Sequence, residues 1–318
     1  MLGRGPHWHG VFPATLCPFT EDFSIDEREL TRYAHSLANT DGIKGLVCNG
    51  HTGECGSLLA EERAEVARIM VEAVQGKVPI VTGVTAEGTA EAVRLAEQAQ
   101  DAGATGLLIM PPHMWLRFGR QPDAAYHYFK DIAASTDLDI IVHQYPLWTK
   151  AHYFTPELLK ICSLDRVVAV KNGDRDLARY EFNLRAMRRE CPDVAILSCH
   201  DEYLMATLLV GADGALVGFA GFVPELIVAL TRACLAGNLP EAQRVQERIF
   251  PLTQAVYRMG EPSATAHARM KEAMVMLGRL KSARARPPVI PMDDAERATI
   301  RSWLEQAGML TPAAMAAS

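Results

Sequence analysis

The sequence predicts a (β/α)8 TIM barrel with a C-terminal helical extension. Three observations carry this. Eight short apolar runs alternate with amphipathic stretches from residue 10 to residue 235. Most of these runs are continuous rather than alternating, as parallel strands covered on both faces must be. Polar and titratable residues collect where the runs end, the face on which such a barrel carries its chemistry. A doubly wound open sheet is the alternative fold, but no glycine-rich dinucleotide fingerprint opens the first unit.

The predicted strands are GVFPATLCP (10–18), IKGLVCNG (43–50), VPIVTGV (78–84), GLLIMPP (106–112), DIIVHQYP (139–146), RVVAVKNG (166–173), VAILSCHD (194–201) and GALVGFA (214–220). Between them, SIDERELTRYAHSLANT predicts a helix capped by Ser24 with an acidic first turn. LAEERAEVARIMVEAVQG predicts one ending at Gly76, a residue free to take the left-handed turn after a helix. GTAEAVRLAEQAQDAGA, RDLARYEFNLRAMRRECP and PELIVALTRACLAGN follow the same pattern. Residues 1–235 therefore read as the catalytic barrel. Residues 236–318 carry helical patterns only, over 240–258, 262–281 and 293–307, with the Pro-rich ARPPVIPMD between the last two. This extension is expected to serve packing or subunit contact.

The chain has 318 residues, 49% of them hydrophobic, and a net charge of -6. That balance argues against a general binder of nucleic acid or of anionic membrane. It leaves room for a small anionic substrate in a locally positive site. Seven cysteines without C-x-x-C spacing read as reduced core thiols in a cytoplasmic protein. The N-terminal MLGRGPHWHGVFPA has no apolar signal core. No apolar run reaches the roughly 18 residues of a membrane span.

The strand ends carry the candidate chemistry. They hold His51, Thr52 and Glu54, Thr82 and Thr85, His113 and Trp115, then His143, Gln144 and Tyr145 with Trp148 close behind. Lys171, Asn172 and Asp174 follow, and then Cys199, His200, Asp201 and Glu202. Lys171 ends the apolar run RVVAV, and an ammonium is costly to bury. From position alone two readings stand: an ion pair with Asp174 or Glu54, or a Schiff-base nucleophile. A nucleophilic lysine must be neutral to attack a carbonyl, and its imine then serves as an electron sink. In NGHTGE (49–54), two glycines bracket a polar pair after a strand. Such a segment is an ordinary βα turn or a cradle of backbone N–H groups for a carboxylate.

Taken together, GVFPATLCPFTEDFSID, NGHTGECGSLLAEER, VPIVTGVTAEGTAEAVRLAEQAQDAGATGLLIMPP, VVAVKNGDRD and GADGALVGFAGFVPE resemble the dihydrodipicolinate synthase/N-acetylneuraminate lyase family. RPPVIPMDDAERATIRSWLEQAGML resembles its C-terminal helix, so the likeness spans nearly the whole chain. The resemblance implies class I lyase chemistry on a 2-oxo acid, with pyruvate the usual one, without metal or cofactor. It also implies a homo-oligomer, a tetramer or dimer. Lys171 matches the Schiff-base lysine. Gly50, His51, Thr52, Gly53 and Glu54 match the Gly-(Ser/Thr)-Thr-Gly-Glu loop that holds the substrate carboxylate.

The departures are informative. Where the family has Tyr-Asn-x-Pro, this chain has HQYP, so His143 stands in place of the proton-moving tyrosine and Tyr145 lies two residues on. His51 replaces the loop's first hydroxyl. His113 and Met114 replace a tyrosine pair, and the expected arginine falls near Trp148. These changes argue against a true dihydrodipicolinate synthase. Trp115 and Trp148 point to an apolar or aromatic substrate tail. GECGSL, PPHMW and HDEYL are similar to hydratase-aldolases that cleave aryl-substituted unsaturated 2-oxo acids. His143 and His51 are the expected acid–base groups. Gly50, Thr52, Gly53, Glu54, Trp115, Tyr145, Trp148, Leu216 and Gly218 are the expected substrate contacts. The alternatives are a 2-oxo acid dehydratase, a dihydrodipicolinate synthase-like condensation, a metal-dependent barrel hydrolase using His51, His143 and His200, or a 2-oxo acid sensor.

Overall fold

A computed structural model describes residues 2–258, 263 and 265–311. Eight parallel strands form one sheet: β1 (Gly10–Pro13), β2 (Leu46–Cys48), β3 (Ile80–Val84), β4 (Gly106–Ile109), β5 (Asp139–Gln144), β6 (Val167–Asn172), β7 (Ala195–Ser198) and β8 (Gly214–Val217). Their order is β1-β8-β7-β6-β5-β4-β3-β2. Parallel bridges at Val11–Ile43 and Ala14–Val47 bring the two ends of the sheet together. All eight predicted strands exist, each shorter than its apolar run, most of them because the C-terminal residues turn into the loops.

The period-2 alternation of strand side chains sorts the core into two shells. Val142, Val170 and Ile196 face outward onto the helices. Phe12, Val47, Val81, Leu108, Ile141, Ala169, Leu197 and Leu216 fill the barrel. Below them Trp8 is fully buried and stacks on Phe12, closing the floor. The amides of Leu2 and Gly3 donate to Asp139 Oδ2 at 2.7 and 2.9 Å, tying the N-terminal strap to that floor.

One helix end corrects an expectation, and another bears one out. Asp26, not Ser24, caps the first helix (Glu27–Ala38), accepting from the Glu29 amide at 2.9 Å. Phe19 and Ile25 pair in an antiparallel bridge, which keeps Ser24 inside a tight turn with Thr20 and Asp22. The second helix, Ala60–Val74, turns left-handed already at Gln75 (φ 52°), ahead of Gly76 (φ 74°).

After the barrel come helices Leu239–Val256, Ala266–Met276 and Asp294–Gln306. The predicted start of the middle one at 262 lies outside the described residues, as do 312–318 of the extension. Among the described residues no helix is long and apolar enough to cross a membrane.

Candidate active site

A cavity of about 540 Å³ opens at the C-terminal ends of the strands. Lys171 lies in its wall near the end of β6, in register with His143 on β5 and Leu197 on β7. The lysine is only 8% exposed. Among the described residues no carboxylate pairs with it. Asp174 faces the helix Leu177–Glu190, where Asn183 Nδ2 donates to its Oδ2 at 3.4 Å. Glu54 is taken by another cation, Lys271. The ion-pair reading of Lys171 is thereby removed. Gly173 lets the chain leave β6 along β5: a Cβ there would come within 2.6 Å of Gln144 O.

His143 is buried, with Nε2 3.7 Å from Cys199 Sγ and with Nδ1 unpartnered among the described residues. Tyr145 shares its inward side. The two rings meet edge-on at 4.8 Å, and Tyr145 Oη hydrogen-bonds His51 Nε2 at 2.8 Å. His51 and His143 rings lie 5.6 Å apart. Burial, reinforced by the charge of Lys171, holds the His143 pKa well below the usual imidazole value. His51 is exposed at the cavity mouth, where packed neighbours still displace water from around its ring. That desolvation, with Lys171 and then His113, lowers its pKa to about 4. Both imidazoles are therefore neutral at neutral pH. Burial pushes the Tyr145 phenol well above its ordinary value, so it stays a donor.

The loop after β2 forms a tight 3-10 turn at His51–Gly53. The Gly53 and Glu54 amides bond back to Gly50 O and His51 O, both at 3.0 Å. The His51 and Thr52 amides donate to nothing among the described residues, which is the usual state of the first N–H groups of a helical turn. Open amides of this kind can receive an anion. Thr52 borders the cavity opposite Gly218, where a Cβ would stand 3.4 Å from Thr52 Oγ1 and 3.3 Å from Asp201 Oδ2.

Several expected contacts lie elsewhere. Glu54 borders the cavity, but its oxygens are bound from behind by Lys271 Nζ and by the Arg286 amide (2.9 Å). Gly50, Gly53 and Leu216 do not line the cavity; Gly53 backs onto Thr15 O, and Leu216 sits in the barrel packing below. Trp115 points away from it, packing on Tyr128 and Tyr153 with Arg120 over its ring at 5.3 Å. Trp148 does stand at the rim, 63% exposed. His200 turns from the cavity centre: Nε2 bonds Asp174 O at 2.9 Å and its ring stacks on Tyr203 at 4.4 Å. It does not join His51 and His143, and among the described residues no three His, Cys, Asp or Glu side chains converge as metal ligands. The metal-hydrolase alternative loses its ligand set on that geometry.

Other wall residues escaped the sequence reading. Tyr257, Ala266, His267 and Met270 of the helical extension line the cavity. Tyr257 Oη donates to Asp201 Oδ2 at 2.6 Å, and the Phe219 amide donates to Oδ1 at 2.8 Å. Burial raises the Asp201 pKa to about 7. Arg175 pairs with Glu202 at 2.8 Å on the same wall. The extension thus closes the site besides packing on the barrel.

Fold and site together define a (β/α)8 lyase of class I, which activates its substrate as a lysine imine. The chain belongs to the dihydrodipicolinate synthetase family, whose sequence model matches residues 7–307. It is 30% identical over 305 residues to 4-hydroxy-tetrahydrodipicolinate synthase of Methanothrix thermoacetophila, covering 96% of this chain and 98% of that one. It is 28% identical over 300 residues to the putative 2-dehydro-3-deoxy-D-gluconate aldolase YagE of Escherichia coli, covering 93% and 96%. A YagE crystal structure in complex with pyruvate superposes with a TM-score of 0.85 at 26% identity, over 95% of this chain and 99% of that one. Dihydrodipicolinate synthase from Thermotoga maritima shares the fold, with a TM-score of 0.86 at 24% identity over 96% and 100%. The chain is accordingly a Schiff-base lyase of the pyruvate-using kind.

Proposed function

We propose that this protein makes or breaks a carbon–carbon bond between pyruvate and an aldehyde with a polar, hydroxylated chain. Lys171 is the nucleophile, and His143 with the His51–Tyr145 pair moves the protons. The observation that carries this is an amine with no carboxylate partner among the described residues, held in register beside a neutral buried imidazole.

In the cleavage direction, the Lys171 amine adds to C2 of the 2-oxo acid. The carbinolamine hydroxyl takes a proton, the C2–O bond breaks with loss of water, and the nitrogen lone pair forms the iminium. The carboxylate rests on the open His51 and Thr52 amides. A base removes the C4 hydroxyl proton, the C3–C4 bond breaks, and its electron pair flows into the iminium to give an enamine. The aldehyde departs. The enamine is protonated at C3, and water then hydrolyses the imine to release pyruvate. His143 stands nearest the imine and suits these transfers; Tyr145 and His51 extend the path toward the mouth.

A polar tail is favoured here over the apolar one expected from the tryptophans. Trp148, Met270 and Val289 add apolar surface to the cavity, but Trp115 is turned away, and His51, Thr52, Arg175, Asp201, Tyr257 and His267 also line it. Two curated relatives, at 28% identity each, are named aldolases of 2-dehydro-3-deoxy sugar acids, which supports a hydroxylated chain. We also infer a homo-oligomer, supported by Met114 and Phe118, 54% and 74% exposed on one short helix; sedimentation at micromolar concentration tests it.

Borohydride reduction with pyruvate, read by intact mass and peptide mapping, should leave a single adduct on Lys171. A folded protein that traps no 2-oxo acid overturns the reading.

A further inference from the structure

The loop that would receive the substrate carboxylate is bracketed by two non-glycine residues in the left-handed region, Asn49 (φ 55°) and Glu54 (φ 59°). Such residues cost about 1 kcal/mol or more each and persist only where the surroundings impose them. Asn49 is imposed by the barrel: its Nδ2 donates to Thr82 Oγ1 at 2.7 Å and Arg63 O at 2.8 Å. Glu54 is imposed by the helical extension. Its Oε1 takes Lys271 Nζ, and its Oε2 takes the Arg286 amide. Lys271 is fully buried, donates also to Arg284 O at 2.8 Å, and lies 4.3 Å from the centre of the Phe19 ring. Arg286 then fastens the same strand of chain to Ser57 O and Glu62. Lys271 touches no part of the cavity, and Lys171 is served by a different wall.

We infer that Lys271 is a positioning residue for the carboxylate cradle: through Glu54 it holds the loop in the conformation that leaves the His51 and Thr52 amides open and convergent. This rests on the imine reading above. A lysine fixed only for stability would affect every carbonyl ligand alike. A lysine that shapes the cradle matters only for ligands with a carboxylate.

The test compares two probes by borohydride trapping at Lys171: pyruvate, and acetone, which forms an imine but has no carboxylate. In Lys271→Met, half-saturating pyruvate should rise about tenfold or more, the loss of one charge-assisted hydrogen bond. Trapping at saturating pyruvate and the rate with a fixed concentration of acetone should stay within about twofold of the parent, a spread of less than 0.5 kcal/mol. Glu54→Gln removes the same pairing at the other end and should give the same split. It also serves if Lys271→Met fails to fold, with circular dichroism as the check. An unchanged pyruvate half-saturation, or an equal loss with both probes, overturns the inference. Failure of the unmodified protein to trap pyruvate overturns the imine reading itself, and this inference with it.

Discussion

The strand wall and the helical wall of the cavity place their side chains by different means. On the strand wall, His143 and Lys171 are direct neighbours across a parallel ladder, so backbone hydrogen bonds fix their separation. On the helical wall, Tyr257, His267 and Met270 are held by side-chain contacts between distant parts of the chain, such as Tyr257 with Asp201. A ladder gives a rigid mount for groups that must meet a reacting carbon. Side-chain contacts give a surface that can be redrawn without disturbing the barrel. Under the function proposed above, the comparison assigns the reaction to the strand wall and selectivity to the helical wall.

The largest break should come from Lys171→Ala, which removes the covalent step. Turnover should fall by at least about 10⁴-fold, as for other nucleophile deletions, with no trapped adduct and an unchanged melting temperature. Next is His143→Asn, which keeps size and polarity but cannot shuttle protons. A loss in kcat of about 10² to 10⁴ is expected, while the adduct at Lys171 still forms under prolonged borohydride treatment.

Tyr145→Phe should cost less, about tenfold in kcat, the worth of one hydrogen bond. It also sharpens the pH behaviour. The working form of His51 is neutral, and its pKa is lowered to about 4, so neutrality persists down to that pH. Activity in the unmodified protein should therefore stay level from pH 7 to about 5 and decline only below, as His51 gains a proton. An acid limb centred near 6.5 would contradict the desolvated imidazole. The smallest effect should be on the helical wall. His267→Ala should raise KM for a hydroxylated substrate by about two- to tenfold, the range for one polar contact, with pyruvate trapping unaltered. If His267→Ala instead removed turnover, the division between the walls would fail.

What the sequence disclosed follows the same division. The eight strands and Lys171 at the end of β6 were legible because a continuous apolar run and its terminal residue are local signals. His143 was legible for the same reason, once HQYP stood where a tyrosine was expected. The hold on Glu54 was not legible because its partner is 217 residues away, and no local pattern marks Lys271 as a buried cation inside a helix. Trp115 was misjudged because its direction depends on a one-turn helix and on Arg120, Tyr128 and Tyr153, not on its position after β4. The Ser24 cap failed to a competing turn that only the Phe19–Ile25 bridge reveals.

The buried Glu54–Lys271 contact also orders events during synthesis. All eight strands and the nucleophile leave the ribosome before Lys271 does, and Arg286 follows later still. A nascent barrel can therefore hold Lys171 in place while Glu54 lacks its cation and the loop lacks its fastening. An amine that reacts with cellular carbonyls would be assembled first, and the cradle that chooses among them last.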